Sequence, residues 1–188
     1  MSTGKSTGYC VECGDGVTQF VPIYEGSKIE KGVSCLELAR QDEKEANKLE
    51  KIYKLLDKKE IKLGAERFEY TEQLFNPNKY GKDMNGIAVQ ANDSLMQIEP
   101  NLRTELYGNI MLAGGSTMMP GFVERFNTDL TKIAPESRKI NVTAPPNGDI
   151  AANMGGKIFA SLSTFKSAFV TREVYDECGP DIINRVCP

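Results

Sequence analysis

Asn109-Ile110-Met111-Leu112-Ala113-Gly114-Gly115-Ser116-Thr117-Met118-Met119-Pro120-Gly121 is the stretch on which the fold turns. The unbroken apolar run up to Ala113 reads as a buried strand. It ends in two glycines and two hydroxyl residues, and Pro120 then marks a helix start. Phe122, Phe126, Leu130 and Ile133 recur at helical spacing and predict one core-facing helix face. Strand, glycine turn and amphipathic helix in that order predict an α/β fold.

Working outward, the residues on the amino-terminal side give a second glycine turn. Gly8 to Tyr24 read as two short strands around Gly14-Asp15-Gly16, with Val, Ile, Phe and Tyr on the flanks. From Ala39 to Glu60 the chain becomes densely charged, and Leu49, Ile52, Tyr53 and Leu56 fall at i, i+3, i+4 and i+7, an amphipathic helical stripe. Ile61-Lys62-Leu63 reads as a short strand, and Thr71 to Phe75 as a short helix ended by Asn76-Pro77. Residues 83–107 read as helix broken at Pro100. On the carboxyl side, Lys139 to Thr143 alternates as a strand and stops at Pro145-Pro146. A helix from about Met154 to Phe165 and another over Thr171 to Tyr175 complete the pattern.

Composition narrows the function. With 23 basic against 26 acidic residues the net charge is −3, which argues against a general grip on nucleic acid or on an anionic membrane. No apolar run is long enough to span a bilayer, and the polar start lacks the block of a secretory signal. Five cysteines at irregular spacing fit a reducing compartment better than a disulfide framework. The absence of histidine removes serine–histidine and cysteine–histidine nucleophiles, histidine bases and histidine-ligated zinc together.

Two apparent motifs fail on physical grounds. Gly4-Lys5-Ser6 resembles the end of a P-loop, but the earlier glycine of that motif has no place in this sequence. Cys10 and Cys13 are three apart on a predicted strand, so their thiols point to opposite faces and cannot readily share a metal. The two glycine turns remain. Backbone N–H groups at Gly14, Asp15, Gly16 and Val17, and at Gly114, Gly115 and Ser116, suit phosphate oxygens, although such turns also use glycine for steric reasons alone.

Several motifs, in order, resemble the actin family. Leu112-Ala113-Gly114-Gly115-Ser116-Thr117-Met118-Met119-Pro120-Gly121 is similar to its adenosine-binding turn, and Glu12-Cys13-Gly14-Asp15-Gly16-Val17-Thr18 to its second phosphate hairpin. Val21-Pro22-Ile23-Tyr24-Glu25-Gly26, Ala144-Pro145-Pro146, Gly155-Gly156, Ala160 to Phe165 and Tyr175 to Pro180 continue the match. The resemblance is to the carboxyl-terminal half of actin. It implies a single actin-like, ribonuclease H-like lobe with a mixed sheet and flanking helices. Residues 1–165 would form that lobe, 39–66 a shortened insert subdomain, and 166–188 a helical tail.

The departures set the functional expectations. The family's first phosphate hairpin, its DNase-binding loop and the glutamine that orients attacking water have no counterpart among these residues, and most of one subdomain is deleted after Arg40. Glu12 stands for an aspartate that organises water around the metal, Gln19 for a histidine, and Asp149 for a lysine beside the nucleotide. The vestigial nucleotide-binding candidates are therefore Glu12, Gly14, Asp15, Gly16, Val17, Gly114, Gly115, Ser116 and Met118, with no catalytic or metal-ligating residue. No cofactor is expected, beyond weak Mg-ATP or Mg-ADP binding where a partner completes the cleft.

The resemblance also treats Leu49 to Glu66 as a hairpin, against the helical stripe, and both readings stand at this point. Phe165, Phe169, Val174, Tyr175, Ile182, Ile183 and Val186 match side chains that pack against the absent lobe, so a protein partner is expected to cover them, with actin and another actin-related protein as candidates. Three functions compete. The first is a non-catalytic structural subunit of a cytoplasmic, cytoskeleton-associated assembly that does not polymerise by itself, without nucleic acid or membrane. The others are half of a split ATPase and a filament-end regulator.

Overall fold

A computed structural model describes residues 4–14, 16–37, 51–63, 66–135 and 138–183. By packing, the chain falls into two compact units, one of residues 5–151 and one of residues 1–4 with 152–188. The tail expected from residue 166 lies within the second.

The first unit is built on a mixed sheet. Strands β1 (Gly8–Cys13) and β2 (Thr18–Tyr24) pair antiparallel, with β3 (Ser27–Lys28) and β4 (Ser34–Leu36) on the far side of β2. On its other side β1 pairs parallel with β7 (Ile110–Ala113), and β7 parallel with β8 (Val142–Thr143). The α/β expectation holds, and the apolar run before Gly114 is the predicted strand. The strand expected over 139–143 shrinks to its last two residues.

Alternation decides which side of β1 is core. Tyr9, Val11 and Cys13 are buried, whereas Cys10 and Glu12 on the opposite face are half-buried. Helices α2 (Ile87–Met96), α3 (Pro100–Tyr107) and α4 (Phe122–Ile133) pack on the buried side, contributing Ile87, Ala91, Leu95, Leu106, Tyr107, Phe122, Phe126 and Leu130. Ile133, expected on the same face as these, is exposed at the last turn of α4. Two polar side chains in this core are paired: Tyr9 donates from Oη to the Ala91 carbonyl (3.2 Å), and Ser94 from Oγ to the Gly32 carbonyl (2.5 Å). Burial pushes the Tyr9 phenol well above its ordinary range.

Helix α1 (Glu66–Phe75) is tied to α4 by Arg125, which meets Asp129 at 2.5 Å and Glu72 at 3.1 Å while its guanidinium lies 5.1 Å from the centre of the Phe75 ring. For the Asp129 carboxyl, burial works upward, but hydrogen bonds from Arg125 and Lys132 outweigh it and hold it below the usual range. A depressed carboxyl stabilises the fold above its unfolded value, and that stabilisation is lost as pH falls through the folded one. Asp129→Asn is therefore expected to cost about 1 kcal/mol at neutral pH, kept small by solvent screening of Arg125. The cost should vanish in strong acid, as urea titrations at several pH values would read.

The helical stripe through Ile52 and Leu56 is overturned. Lys51–Lys54 (β5) and Glu60–Leu63 (β6) form a separate antiparallel two-stranded sheet, with Tyr53 opposite Ile61. The reason is local: Leu55 donates to the Lys59 carbonyl (2.8 Å), Lys58 donates to the Leu55 carbonyl (2.9 Å), and Lys59 N–H is held by the Asp57 carboxylate (3.1 Å). Such a closed turn fixes a register of period two, and the period-3.6 stripe is coincidental. The stripe's first member, Leu49, lies outside the described residues. Lys58 takes φ +67°, a left-handed conformation that costs a residue with a Cβ about 1–2 kcal/mol. Allowing for glycine's greater chain entropy, Lys58→Gly is expected to stabilise the hairpin by roughly 0.5–1 kcal/mol. Amide exchange over 51–63 should slow by a factor of about 2–5.

The second unit is helical and has no packed interior among its described residues. It holds most of α5 (Ala151–Ser161), a 3₁₀ stretch over Ser163–Ala168 and α6 (Arg172–Cys178), which Thr171 caps by accepting the Val174 N–H (3.3 Å).

Candidate functional site: two glycine turns at one sheet edge

The parallel strands β1 and β7 each end in a glycine. Glu12 lies opposite Ala113 in register, so Gly14 and Gly114 leave the sheet side by side. The carboxyl ends of adjacent parallel strands form the crevice where open α/β sheets hold ligands.

Gly114 makes the arrangement possible. Its φ is +92°, and a Cβ built there would lie 2.2 Å from the Cys13 carbonyl oxygen. Only a residue without a side chain allows the two turns to approach so closely. Three hydrogen bonds then lock them. Ser116 donates from Oγ to the Gly14 carbonyl (3.1 Å), joining one turn to the other. Thr117 donates from Oγ1 to the Gly114 carbonyl (2.8 Å), holding the 3₁₀ turn over Gly115–Met118. Gly114 donates from its N–H to the Gly148 carbonyl (2.9 Å), which brings in a third turn, Gly148–Ile150. Beneath the hairpin tip Gly14 donates to the Val17 carbonyl (3.1 Å), and the Cys13 thiol meets the Thr18 hydroxyl at 3.2 Å.

Of the candidates read from sequence, Gly14, Gly114 and Ser116 are thus joined in one cluster. Gly16, Val17, Gly115 and Met118 are exposed around it, and a Cβ at Gly16 or Gly115 would meet nothing within 4 Å. The tops of both turns are open. Glu12 sits one residue before the cluster on the half-buried face of β1. Beside it on that face, burial, reinforced by the Glu12 charge, pushes the Cys10 thiol up to about 11, so Cys10 is no nucleophile at neutral pH. Asp15 lies outside the described residues. Gly148 and Thr117 were missed as site residues. The Pro145-Pro146-Asn147-Gly148 run marks a turn, but nothing in it says which strand end that turn meets.

Gly14 and Gly114 spend their N–H groups within the cluster, so Gly16, Val17, Gly115 and Ser116 are the candidate backbone donors toward an anion. Among the described residues no three cysteine, aspartate or glutamate side chains converge to hold a cation by themselves. The charged residues at these turns, Glu12 at the end of β1, Asp15 and Asp149, are all acidic.

The expected interface residues lie in the second unit. Phe165, half-buried, stacks edge-on between Phe159 (5.0 Å between centroids) and Phe169 (4.7 Å). Phe169 is 55% exposed, Val174, Tyr175 and Ile183 are exposed too, and Ile182 is half-buried. Val186 lies outside the described residues. From Ala152 to Phe165 and from Phe169 to Ile183 no residue is buried.

A family model described as Actin matches residues 38–188. The match takes in the Gly114 turn, the Gly148 turn and residues 152–188 of the second unit, while the β1–β2 hairpin precedes it. Spanning most of the chain, on a lobe with the mixed sheet that the motifs imply, it shows that the chain belongs to the actin family.

Proposed function

We propose that this chain is a non-catalytic, actin-like structural subunit of a larger cytoplasmic, cytoskeleton-associated assembly, and that it does not polymerise by itself. The observation that carries this reading is the second unit. Met154, Ile158, Phe159, Leu162 and Phe169 are all between 39% and 55% exposed, and no residue over 152–165 or 169–183 is buried. Contiguous apolar surface of this kind belongs against another molecule. In the family resemblance Phe169, Val174, Tyr175 and Ile183 pack against another lobe, and these too are exposed. A partner protein, actin or another actin-related protein, is the cover we propose for them.

The test is hydrodynamic. In native extract the chain should migrate within a stoichiometric complex. Purified alone, it should bind an apolar dye and self-associate, and addition of the partner should abolish both. A monodisperse monomer that binds no dye would overturn the reading.

One observation favours a second reading, in which the chain is half of a split ATPase. Ser116 joins the two phosphate-type turns, and their tops are open. Bound nucleotide in the isolated complex, absent from the separated chain, would select it.

A further inference from the structure

The β5–β6 hairpin carries a surface that the structural role does not use. A lone two-stranded hairpin is marginal in water unless something covers it, yet this one presents its apolar side chains outward. Leu56 at the turn is fully exposed, and Ile52, Leu55 and Ile61 are between 41% and 51% exposed. Around them the sequence is basic. Residues 51–63 hold five lysines against Asp57 and Glu60, a net +3 in a chain of net −3, so the other residues together carry −6. Two of the lysines are already balanced within the hairpin, Lys54 by Glu60 (3.2 Å) and Lys59 by Asp57 (3.1 Å).

We propose that this tip docks on an anionic lipid bilayer, with Leu55 and Leu56 entering the headgroup–acyl boundary and the lysines behind them meeting acidic headgroups. Three features select a bilayer. The apolar element is a convex tip of two adjacent leucines, which a fluid interface accepts without a matching pocket. The basic charge lies on the same short element, where it adds to insertion within a Debye length of the surface. The charge of the whole chain, which argued against a general electrostatic grip, averages over this segment and does not describe it. The attachment is peripheral: no helix among the described residues is long and apolar enough to cross a membrane.

The chain contains no tryptophan, so Leu56→Trp provides a single reporter at the tip in the full-length protein. The probe is a vesicle of phosphatidylcholine with about a third phosphatidylserine, the acidic fraction that draws basic segments. Its addition should shift the tryptophan emission to the blue, and brominated acyl chains should quench it. Phosphatidylcholine alone should do neither, and raised salt should reverse the shift. In sedimentation, Leu55→Ser/Leu56→Ser should bind the acidic vesicles roughly tenfold or more weakly than the unsubstituted chain. Leu56 is fully exposed, and an unchanged circular dichroism spectrum will separate this loss from misfolding. The proposal is overturned if millimolar acidic lipid leaves the emission unmoved, or if the serine variant sediments as well as the parent. It is also overturned by an emission already blue in a dimer, which assigns the tip to a second copy. A shift seen only in vesicle-free cytosol, which assigns it to a protein, overturns it as well.

Discussion

Gly114→Ala is expected to destabilise the first unit by about 3–5 kcal/mol, while Gly115→Ala, one residue on, changes its stability by less than about 0.5 kcal/mol. The contrast follows from two separate demands on one position. At φ +92° an alanine pays the left-handed penalty, and its Cβ would fall 2.2 Å from the Cys13 carbonyl oxygen and 2.7 Å from the carbonyl carbon. Neither neighbour is the far end of a flexible side chain. Both belong to the backbone of a central strand, so relief requires β1 and β7 to separate and the Ser116–Gly14 hydrogen bond to stretch. Gly115 has an ordinary φ and open space where its Cβ would go, and it loses only chain entropy in the unfolded state. Urea titration followed by circular dichroism reads both variants. A loss on the order of 4 kcal/mol is a large fraction of the 5–15 kcal/mol typical of a domain, so the alanine variant should melt well below the parent. Equal effects at the two positions would mean that the turns do not approach as described.

The same glycine shows how much of the site was legible beforehand. The apolar run ending at Ala113 and the double glycine announced a strand that stops at a backbone-dense turn, because local composition records local conformation. That this turn meets the one at Gly14 is a fact about strand order, set by a parallel pairing between residues about a hundred positions apart. No local pattern encodes it. Gly148 was missed for that reason: its turn was visible, its partner was not. The conflict at 51–63 has a different cause. Four apolar residues at helical spacing stood against the hairpin that the resemblance implied, and the closure by Asp57 together with the left-handed Lys58 decides for the hairpin. For the second unit the helices were readable and the lack of burial was not, since a sequence shows which residues are apolar and not whether anything lies on them.

The remaining large effect concerns nucleotide. Calorimetric titration of the purified chain with Mg-ATP is expected to give a dissociation constant of roughly millimolar or weaker, worth about 4 kcal/mol or less of binding free energy, with no phosphate release above buffer. The available contacts are backbone N–H groups on two open turns, which hold a phosphate through dipoles without a charged side chain to neutralise it. Against them stands the carboxylate of Asp149, exposed on the turn that Gly148 fastens to Gly114. Reversing that charge removes a repulsion and adds an attraction, each about 1 kcal/mol at contact distance in a water-like medium. Asp149→Lys should therefore tighten Mg-ATP roughly thirtyfold, and raised salt should erase most of the gain. The pair of measurements separates two causes of weak binding. If the lysine variant reaches the tens of micromolar, charge at this turn is what limits the site, and the backbone cradle is intact. If it stays at millimolar while Gly115→Ala leaves the fold unchanged, the limit lies in contacts that these residues do not supply. Micromolar affinity in the unsubstituted chain would contradict both, because it would require side-chain neutralisation that neither Glu12 nor Asp149 provides.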